Sequence, residues 1–375
     1  MQALADIYRI DQFNDTFALG HYARVMDAVD KRTNTPVAFK VMRPEHLSAD
    51  GEMRWEYRAF ANETDLLARM AGSSQIINLL DCGYVSTRNE APSDGDIESY
   101  GLDIDAFARA MPDFAERHWR PYLALENLPR TQNLLYLMKP NQAGMRWRLP
   151  TEEGLSLALQ FAEFLRDAHA RRIVYLDHKL EHVYWDGLFL RIIDLNSSRL
   201  LESYSAGDDD GYFCLDIHNL CVGVLYPIFT GLSPLKTPLR AQPGAHSVVE
   251  DRYKEVTSLD FNVEPTLSQA LQDLLQRGAE MGIRSASEFI RGLQEVALLH
   301  GWDFEEQLSD AANRSARAQM REGLKRMRRG QADLREARDL LLDAAIHDGI
   351  TEDMQAEFRR LVKLINEMLN KRVIP

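Results

Sequence analysis

Two acids and a lysine stand at spacings that could serve phosphoryl transfer. Asp177 and Lys179 lie in a polar turn that follows an apolar run, and Asp194 follows the next apolar run. If both acids lie at the mouth of one cleft, one carboxylate can orient a hydroxyl while the other holds a metal against phosphates. The rest of the chain can then be examined for the parts that such a cleft requires.

Composition limits the class of protein. The 375 residues are enough for two or three structural units, and 45% hydrophobic with 27% charged residues is ordinary for a soluble globular protein. The net charge of −13 argues against a nucleic-acid partner for the surface as a whole. A local basic patch is still compatible with that charge.

The cysteines and the N-terminus indicate a cytoplasmic protein. The 3 cysteines are scattered and odd in number, which predicts reduced thiols without metal-ligand spacing. The N-terminus lacks a basic region followed by an apolar run, so we expect no signal peptide. We find no uninterrupted apolar stretch of about 18 residues and therefore expect no membrane span.

Residues 1–127 are predicted to be strand-rich. Apolar side chains recur at helical spacing over 52–71, which predicts one helix there. The segment 85–120 is polar at its start, and we interpret it as an insertion with one helix around 104–110. The predicted strands are 22–29, 36–42, 76–84 and 121–126.

Residues 128–302 are predicted to be helix-rich. The helix 151–170 has acids in its first turn and Thr151 as its candidate N-cap. The apolar run 216–230 predicts a buried helix, which Gly231 is suited to end. Two further helices are predicted at 265–281 and 285–300.

Residues 303–375 are predicted to be a helical extension. Three helices are expected, at 308–330, 332–347 and 351–371. The stretch 313–330 carries seven Arg and Lys residues against one acid. It could meet an acidic partner, a nucleic acid or the chain's own acids at 208–210, but a solvated helix face is favoured.

The order of these parts resembles the eukaryotic-like serine/threonine protein kinases of bacteria, over about residues 17–302. The resemblance rests on four short motifs, which are VAFK at 37–40, ETDLL at 63–67, YLDHKLEH at 175–182 and IIDLN at 192–196. It implies an α+β, bilobal protein-kinase-like fold with a β-rich N-lobe, a helical C-lobe and the C-terminal extension. It also implies ATP with Mg²⁺ or Mn²⁺, and a protein substrate or signalling partner, with the C-terminal helices as an interaction arm.

The resemblance gives five charged residues their roles. Asp177 takes the catalytic-base position and Lys179 places a cation near the γ-phosphate. Lys40 would contact the α- and β-phosphates, and Glu63 would pair with Lys40 and fix it. Asp194 would hold the metal that bridges the phosphates. Taken alone, Lys40 and Glu63 are each more often a solvated surface charge, although a lysine inside an apolar strand is costly to bury unpaired.

Further positions would hold the nucleotide. The segment 17–25 resembles the glycine-rich loop, in which Gly20 is retained and Ala18 occupies another glycine position, with Val25 at its end. Leu125 would lie at the back of the adenine pocket. The backbone from Glu126 to Leu128 would bond to the adenine edge.

Two residues of the helical part match supports of the same family. Asp216 matches the aspartate that braces the catalytic loop, and Arg284 matches a late arginine of the helical lobe. The family's usual glutamate partner of this arginine is missing, and Glu202 is a candidate replacement.

The chain also departs from the kinase pattern. His182 replaces the asparagine that holds a second metal, and an imidazole is a poor ligand for Mg²⁺. A structural hydrogen bond is an equally good interpretation of His182. Leu176 replaces the arginine that would receive an activating phosphate. The segment 196–216 is short, lacks a peptide platform and contains the acids at 208–210, for which a solvated loop is predicted.

Three functions therefore stay open. The leading one is an ATP-dependent serine/threonine kinase, because the five charged residues all survive together. The alternative is a pseudokinase that acts as a nucleotide-binding scaffold or interaction module. A small-molecule phosphotransferase would explain the short platform.

Overall fold

The computed structural model of the chain describes residues 2–15, 20–48, 50–139, 146–202, 206–235, 237, 239–242, 244, 246–300, 330–342, 345 and 352–370. This part of the chain is a mixed α+β structure. The residues up to 126 form a curled antiparallel sheet of seven strands with helices between them, and a helical part follows.

The sheet combines predicted and unpredicted strands. Its neighbours pair antiparallel in the order β1-β6-β5-β7-β4-β3-β2. β3, β4, β5 and β7 confirm the four predicted strands with shifted ends, whereas β1, β2 and β6 were not predicted. The seven strands are β1 (Gln2–Ala3), β2 (Tyr8–Phe13), β3 (Ala23–Asp30), β4 (Thr35–Met42), β5 (Leu79–Val85), β6 (Asp96–Gly101) and β7 (Arg120–Glu126).

Strand alternation explains why β4 matters to the cleft. Side chains of successive strand residues point to opposite faces. Val37, Phe39 and Val41 pack in one apolar cluster, and Ala38 with Met42 pack in another. Lys40 therefore lies on the face of Ala38 and Met42.

Three helices accompany the sheet. The predicted helix at 52–71 is confirmed as α2, which packs against β7 and β5. The helix predicted around 104–110 is confirmed and reaches Glu116, and the segment 85–120 also adds the unpredicted strand β6 to the sheet. Tyr84 stacks on Phe114 with ring centroids 4.2 Å apart, which fastens that helix to the sheet. The helices are α1 (Leu4–Ile7), α2 (Trp55–Arg69) and α3 (Ile104–Glu116).

The helical part carries short strand pairs between its helices. A hairpin joins β9 (Val183–Trp185) to β10 (Leu190–Ile192), and β8 (Ile173–Val174) pairs with β11 (Arg199–Leu200). The helices of this part are α4 (Leu134–Met138), α5 (Thr151–Ala170), α6 (Ala206–Leu220), α7 (Tyr226–Thr230), α8 (His246–Val249), α9 (Gln269–Ala279) and α10 (Ala286–Leu299).

The helix predicted at 151–170 has the predicted bounds, but its N-cap is different. Pro150 precedes the first turn of α5, and Thr151 is the first helical residue. The two late helices, predicted at 265–281 and 285–300, are confirmed with shorter bounds as α9 and α10.

The apolar run 216–230 is confirmed as a buried helix, and it begins earlier than predicted. α6 continues through a π-helical segment, Cys221–Leu225, into α7, which Gly231 ends with φ 72°. Within the described residues, only the run Asp209–Thr230 is long and apolar enough to cross a membrane, and 89% of its most apolar stretch is buried inside the protein. A core helix passes the same test of length and composition.

The acids at 208–210 do not form the solvated loop that we predicted. They lie in α6, and Asp209 is buried. Its Oδ2 accepts a hydrogen bond from Arg172 Nη1 at 2.6 Å. The arginine supplies the counter-charge that allows the carboxylate to leave water.

The extension is described only in part. The predicted helix at 308–330, with the basic stretch, lies outside the described residues apart from its last residue. Those predicted at 332–347 and 351–371 correspond to α11 (330–342) and α12 (Glu352–Asn370). Arg335 in α11 reaches the helical part, where its Nη2 donates to Leu137 O at 3.4 Å.

A buried carboxylate ties the N-terminal strands to the sheet. Asp81 on β5 is 1% exposed. Its oxygens accept hydrogen bonds at 2.6–3.1 Å from Tyr8, Arg32, Ser99, the Gly101 backbone and Tyr122. One side chain thus connects β2, the β3–β4 turn, β6 and β7.

Replacing Asp81 with Ala should lower the free energy of unfolding by about 3–5 kcal/mol, because the donors around it lose their acceptor inside the protein. Urea unfolding of purified protein measures this loss. Asp11→Ala is the control, since Asp11 pairs with Arg9 at the surface and its loss should change stability by about 1 kcal/mol or less. Equal effects of the two substitutions would contradict the role given to Asp81.

Candidate active site

One cleft between the sheet and the helical part collects the predicted site residues. It encloses about 1090 Å³, part of which is open to solvent. Ala18 lies outside the described residues. All the other predicted site residues line this cleft, namely Gly20, Val25, Lys40, Glu63, Leu125, Glu126, Leu128, Asp177, Lys179, His182 and Asp194.

Sheet register places the first group of these residues. Val25 of β3 pairs with Lys40 of β4, and Ala38 pairs with Leu125 of β7. Directly paired residues of neighbouring strands have side chains on the same face. The four side chains therefore form one wall of the cleft, apolar except for the lysine.

Lys40 is a buried cation held by two acids. Its side chain is 7% exposed, and its Nζ lies 2.7 Å from Glu63 Oε2 on α2 and 2.8 Å from Asp194 Oδ1. Glu63 is fully buried. An unpaired ammonium would be costly at this depth, so the two carboxylates stabilise the position of Lys40.

The loops that carry Asp177 and Asp194 contain left-handed residues. Leu176 has φ 66° and Asp194 has φ 67°, a conformation that costs a residue with a side chain about 1 kcal/mol or more. Such strain persists only where surrounding contacts hold the backbone. The backbone held in this way sets the direction of the neighbouring side chains.

Asp216 supplies the contacts that hold the backbone of the first of these loops. Its carboxylate accepts the backbone N–H groups of Tyr175 at 2.8 Å and Leu176 at 2.7 Å, and it lies 2.9 Å from His169 Nε2. Burial acts to raise the pKa of Asp216, but the hydrogen bond with His169 and the neighbouring donors lower it below its usual value. Asp216 is therefore an ionised brace of the loop that carries Asp177.

Asp177 is surrounded by cations. Its side chain is 3% exposed, Lys179 Nζ lies 3.2 Å from Oδ2, and Arg252 Nη2 lies 2.6 Å from Oδ1. Burial acts to raise the pKa of Asp177, but Lys179 and Arg252 outweigh it and lower the pKa to about 2. The group is a carboxylate that orients a donor rather than a strong base.

His182 bridges the two acids. Its Nε2 lies 3.1 Å from Asp194 Oδ2, and its Nδ1 lies 3.6 Å from Asp177 Oδ2 without a hydrogen-bond partner. Burial and the nearby Lys179 lower the pKa of His182 well below its usual value, so the ring is neutral. A neutral ring with a buried, unpartnered nitrogen is compatible with a ligand or with a hydrogen bond to one.

Burial raises the pKa of the Asp194 carboxyl to about 7, while the Asn196 backbone N–H acts in the opposite direction. The Asn196 side-chain amide also donates to Asp194 Oδ1. Among the described residues, no group of three or more His, Cys, Asp and Glu side chains is arranged to hold a metal ion. A cation at Asp194 would thus need oxygen ligands from a bound molecule.

The apolar end of the cleft leaves backbone groups for a ring system. Glu126 N–H is bonded to Asn78 O at 2.9 Å, and outside the strand ladders no backbone hydrogen bond to the Glu126 carbonyl is found in the described part of the chain. In the described part of the chain Leu128 N–H has no hydrogen-bond partner. A planar heterocycle with a donor beside an acceptor matches these two groups.

Gly20 is required by a close approach. A Cβ at this position would lie 2.4 Å from the Ala23 carbonyl oxygen. A side chain would therefore push apart the turn that begins the cleft's upper wall.

Several cleft residues were missed from the sequence. Ala38 could have been found, because it precedes Lys40 by two positions on one strand. Tyr184 and Ile193 also line the cleft, and each adjoins a motif that we used. Gln242 of the cleft comes from a segment without any sequence signal, and its N–H donates to Glu181 Oε1 at 2.6 Å. Arg252, later in the same segment, does not line the cleft but contacts Asp177.

The expected pairing of Arg284 with Glu202 does not occur. Both residues are exposed, and no ion pair between them is found in the described part of the chain. The Arg284 backbone N–H donates to Glu288 instead, at the start of α10.

Comparison with known proteins adds no assignment. No protein-family model matches the chain, and no curated protein sequence matches it.

The pKa of Asp177 predicts a pH dependence of stability. Because folding lowers this pKa from 3.8 to about 2, the carboxylate stabilises the fold above about pH 4 and loses this effect as the pH falls towards 2. As the pH falls from 4 to 2, the free energy of unfolding of Asp177→Asn should therefore decrease by roughly 2 kcal/mol less than that of the wild type. Urea unfolding at a series of pH values measures the difference.

The control for this experiment is Asp105→Asn, which changes an exposed acid of α3. That variant should follow the wild-type pH curve. If Asp177→Asn also follows it, the cations around Asp177 do not stabilise its charged form.

Proposed function

We propose that the chain is an ATP-dependent serine/threonine protein kinase that transfers the γ-phosphate to a protein hydroxyl. One observation carries the proposal. Eleven residues chosen from sequence motifs that are separated by up to 174 positions, from Gly20 to Asp194, line a single cleft. We further propose that the sheet and the helical part are the two lobes of a kinase fold.

The cleft supports a distinct role for each end. The apolar end, with Val25, Leu125 and the backbone of Glu126 and Leu128, would hold adenine. Lys40 would meet the phosphates, where a buried and fixed ammonium stabilises their negative charge.

Asp177 and Lys179 would act at the point of transfer. The acceptor oxygen forms a bond to the γ-phosphorus, the bond from that phosphorus to the bridging oxygen breaks, and ADP leaves. Asp177 orients the hydroxyl and passes its proton to solvent. Lys179 balances the charge on the transferred group.

The residues fit one hard cation better than two. Asp194 is a carboxylate at the cleft with its pKa raised by burial, and a bound Mg²⁺ or Mn²⁺ would neutralise phosphate charge beside it. The position of a second ligand is taken by His182, a nitrogen donor that already contacts Asp194. We propose that Asp194 is the protein ligand and that His182 limits the site.

A pseudokinase is the alternative, and one observation favours it. Both oxygens of Asp177 already contact cations of the chain itself, and these cations compete with a hydroxyl for the carboxylate. In that case the cleft would bind nucleotide, and the extension would serve as the arm that meets a protein partner. We propose a cytoplasmic location for either function.

Incubation with labelled ATP and a serine peptide mixture, with Mg²⁺ and Mn²⁺ in parallel, tests the proposal. The wild type should transfer label, and Asp177→Ala and Asp194→Ala should each reduce the rate by about a hundredfold or more. Asp105→Ala, which removes an exposed acid, should transfer at the wild-type rate.

If no label is transferred, a thermal-shift measurement with ATP shows whether the protein still binds the nucleotide. Binding of ATP without transfer by any variant would favour the pseudokinase. Transfer that persists in Asp177→Ala and Asp194→Ala with intact folding would place the activity elsewhere or in a contaminant.

The His182→Asn variant tests the limit on the metal site. An amide oxygen is a better ligand for Mg²⁺ than an imidazole nitrogen, so the transfer rate in Mg²⁺ should rise several-fold. The ratio of rates in Mg²⁺ and Mn²⁺ should move towards Mg²⁺. An unchanged ratio, or a loss in both metals, would mean that His182 is a structural residue.

A further inference from the structure

Arg252 is an unusual partner for Asp177. It follows α8 in a turn, and its side chain is 5% exposed. Its Nη2 lies 2.6 Å from Asp177 Oδ1, while Nε and Nη1 are buried without any hydrogen-bond partner in the described part of the chain. A buried guanidinium that makes one of five bonds is poorly satisfied, and leaving donors unpaired is costly.

The two oxygens of Asp177 face different parts of the site. Oδ2 lies near Lys179 and His182, and His182 contacts Asp194. That side leads to the metal and phosphate positions of the proposed function. Oδ1 faces Arg252. The acceptor hydroxyl must therefore reach Asp177 from the side that Arg252 covers.

Arg252 cannot simply leave. Moving a guanidinium away from its carboxylate inside a closed site leaves an unpaired charge, which is strongly unfavourable. Another oxyanion can take its place, because the planar fork of arginine matches carboxylate and phosphate groups. Each of the two unpartnered nitrogens shares an edge of the guanidinium with Nη2, so such a group would bind one of them together with Nη2.

We propose that Arg252 is the acceptor-selecting residue of the site, and this inference rests on the proposed kinase function. It covers the hydroxyl-binding oxygen of Asp177 and yields it to acceptors that carry a carboxylate or phosphate next to the hydroxyl. The substrate class is thus a serine or threonine with an adjacent acidic group.

The test uses the full chain, ATP with Mg²⁺, and two serine peptide libraries that differ only in Glu or Gln beside the serine. The wild type should phosphorylate the Glu library about tenfold faster. Arg252→Gln should bring the ratio of rates near one, chiefly by raising the rate on the Gln library. Arg252→Lys keeps the charge without the fork and should give an intermediate ratio.

Arg199→Gln is the matched control. Arg199 bonds Glu250, two positions from Arg252, and its removal loosens the same segment without touching Asp177. Its ratio should equal that of the wild type. Should Arg252→Gln not fold, Arg252→Lys carries the comparison, after thermal unfolding has shown that it is native.

Two results would overturn the inference. The first is a wild type without preference for the Glu library, and the second is a ratio that Arg252→Gln and Arg252→Lys leave unchanged. In both cases phosphoryl transfer itself is observed, so the proposed function stands. Failure of every variant to transfer to either library would instead remove the proposed function and the inference together.

Discussion

The burial of Lys40 constrains the structure around the cleft. An ammonium at this depth must be paired, and its two partners come from different elements, Glu63 on α2 and Asp194 after β10. The strand, the helix and the loop must therefore meet at one point. Asn62 strengthens this junction, because its side chain donates to the backbone oxygens of Asn196 and Ser198. Pairing of this one charge therefore helps to fix the position of the sheet over the helical part.

The loops that carry Asp177 and Asp194 bring together a second set of charges through their backbone geometry. Left-handed residues at Leu176 and Asp194 turn the chain so that two acids and His182 converge. Asp216 holds the first turn through two backbone N–H groups, and its carboxylate also lies within hydrogen-bond distance of His169 Nε2. Nearly every charge in this region is buried and opposed by another. The site therefore depends on packing as much as on the identity of its acids.

Much of the site could be predicted from the sequence, because its parts lie in short segments with strong local patterns. Lys40 lies in an apolar strand and Asp177 in a polar turn, and each of these local patterns can be identified without knowledge of the fold. Arg252 could not be found in this way, since it lies 75 positions after Asp177 and contacts it only through the path of the chain between α7 and α9.

A similar share of the fold could be predicted from the sequence. Apolar runs predicted β3, β4, β5 and β7, whereas the polar residues of β6 gave no strand signal. β6 pairs with β5 on one side and with the two-residue strand β1 on the other. The run of charge at 208–210 predicts a solvated loop. Arg172 reverses that expectation for Asp209, because a distant counter-ion changes the cost of burial.

The strand order has a consequence for synthesis on the ribosome. β7 is the last of the seven strands in the chain, yet it lies at the centre of the sheet between β5 and β4. The meander of β2, β3 and β4 and the pair of β5 and β6 can each form earlier, but both keep an unpaired edge until residue 126 has emerged. Unpaired edges invite association with other chains. Protection of the nascent chain during this interval is thus a requirement that the topology itself imposes.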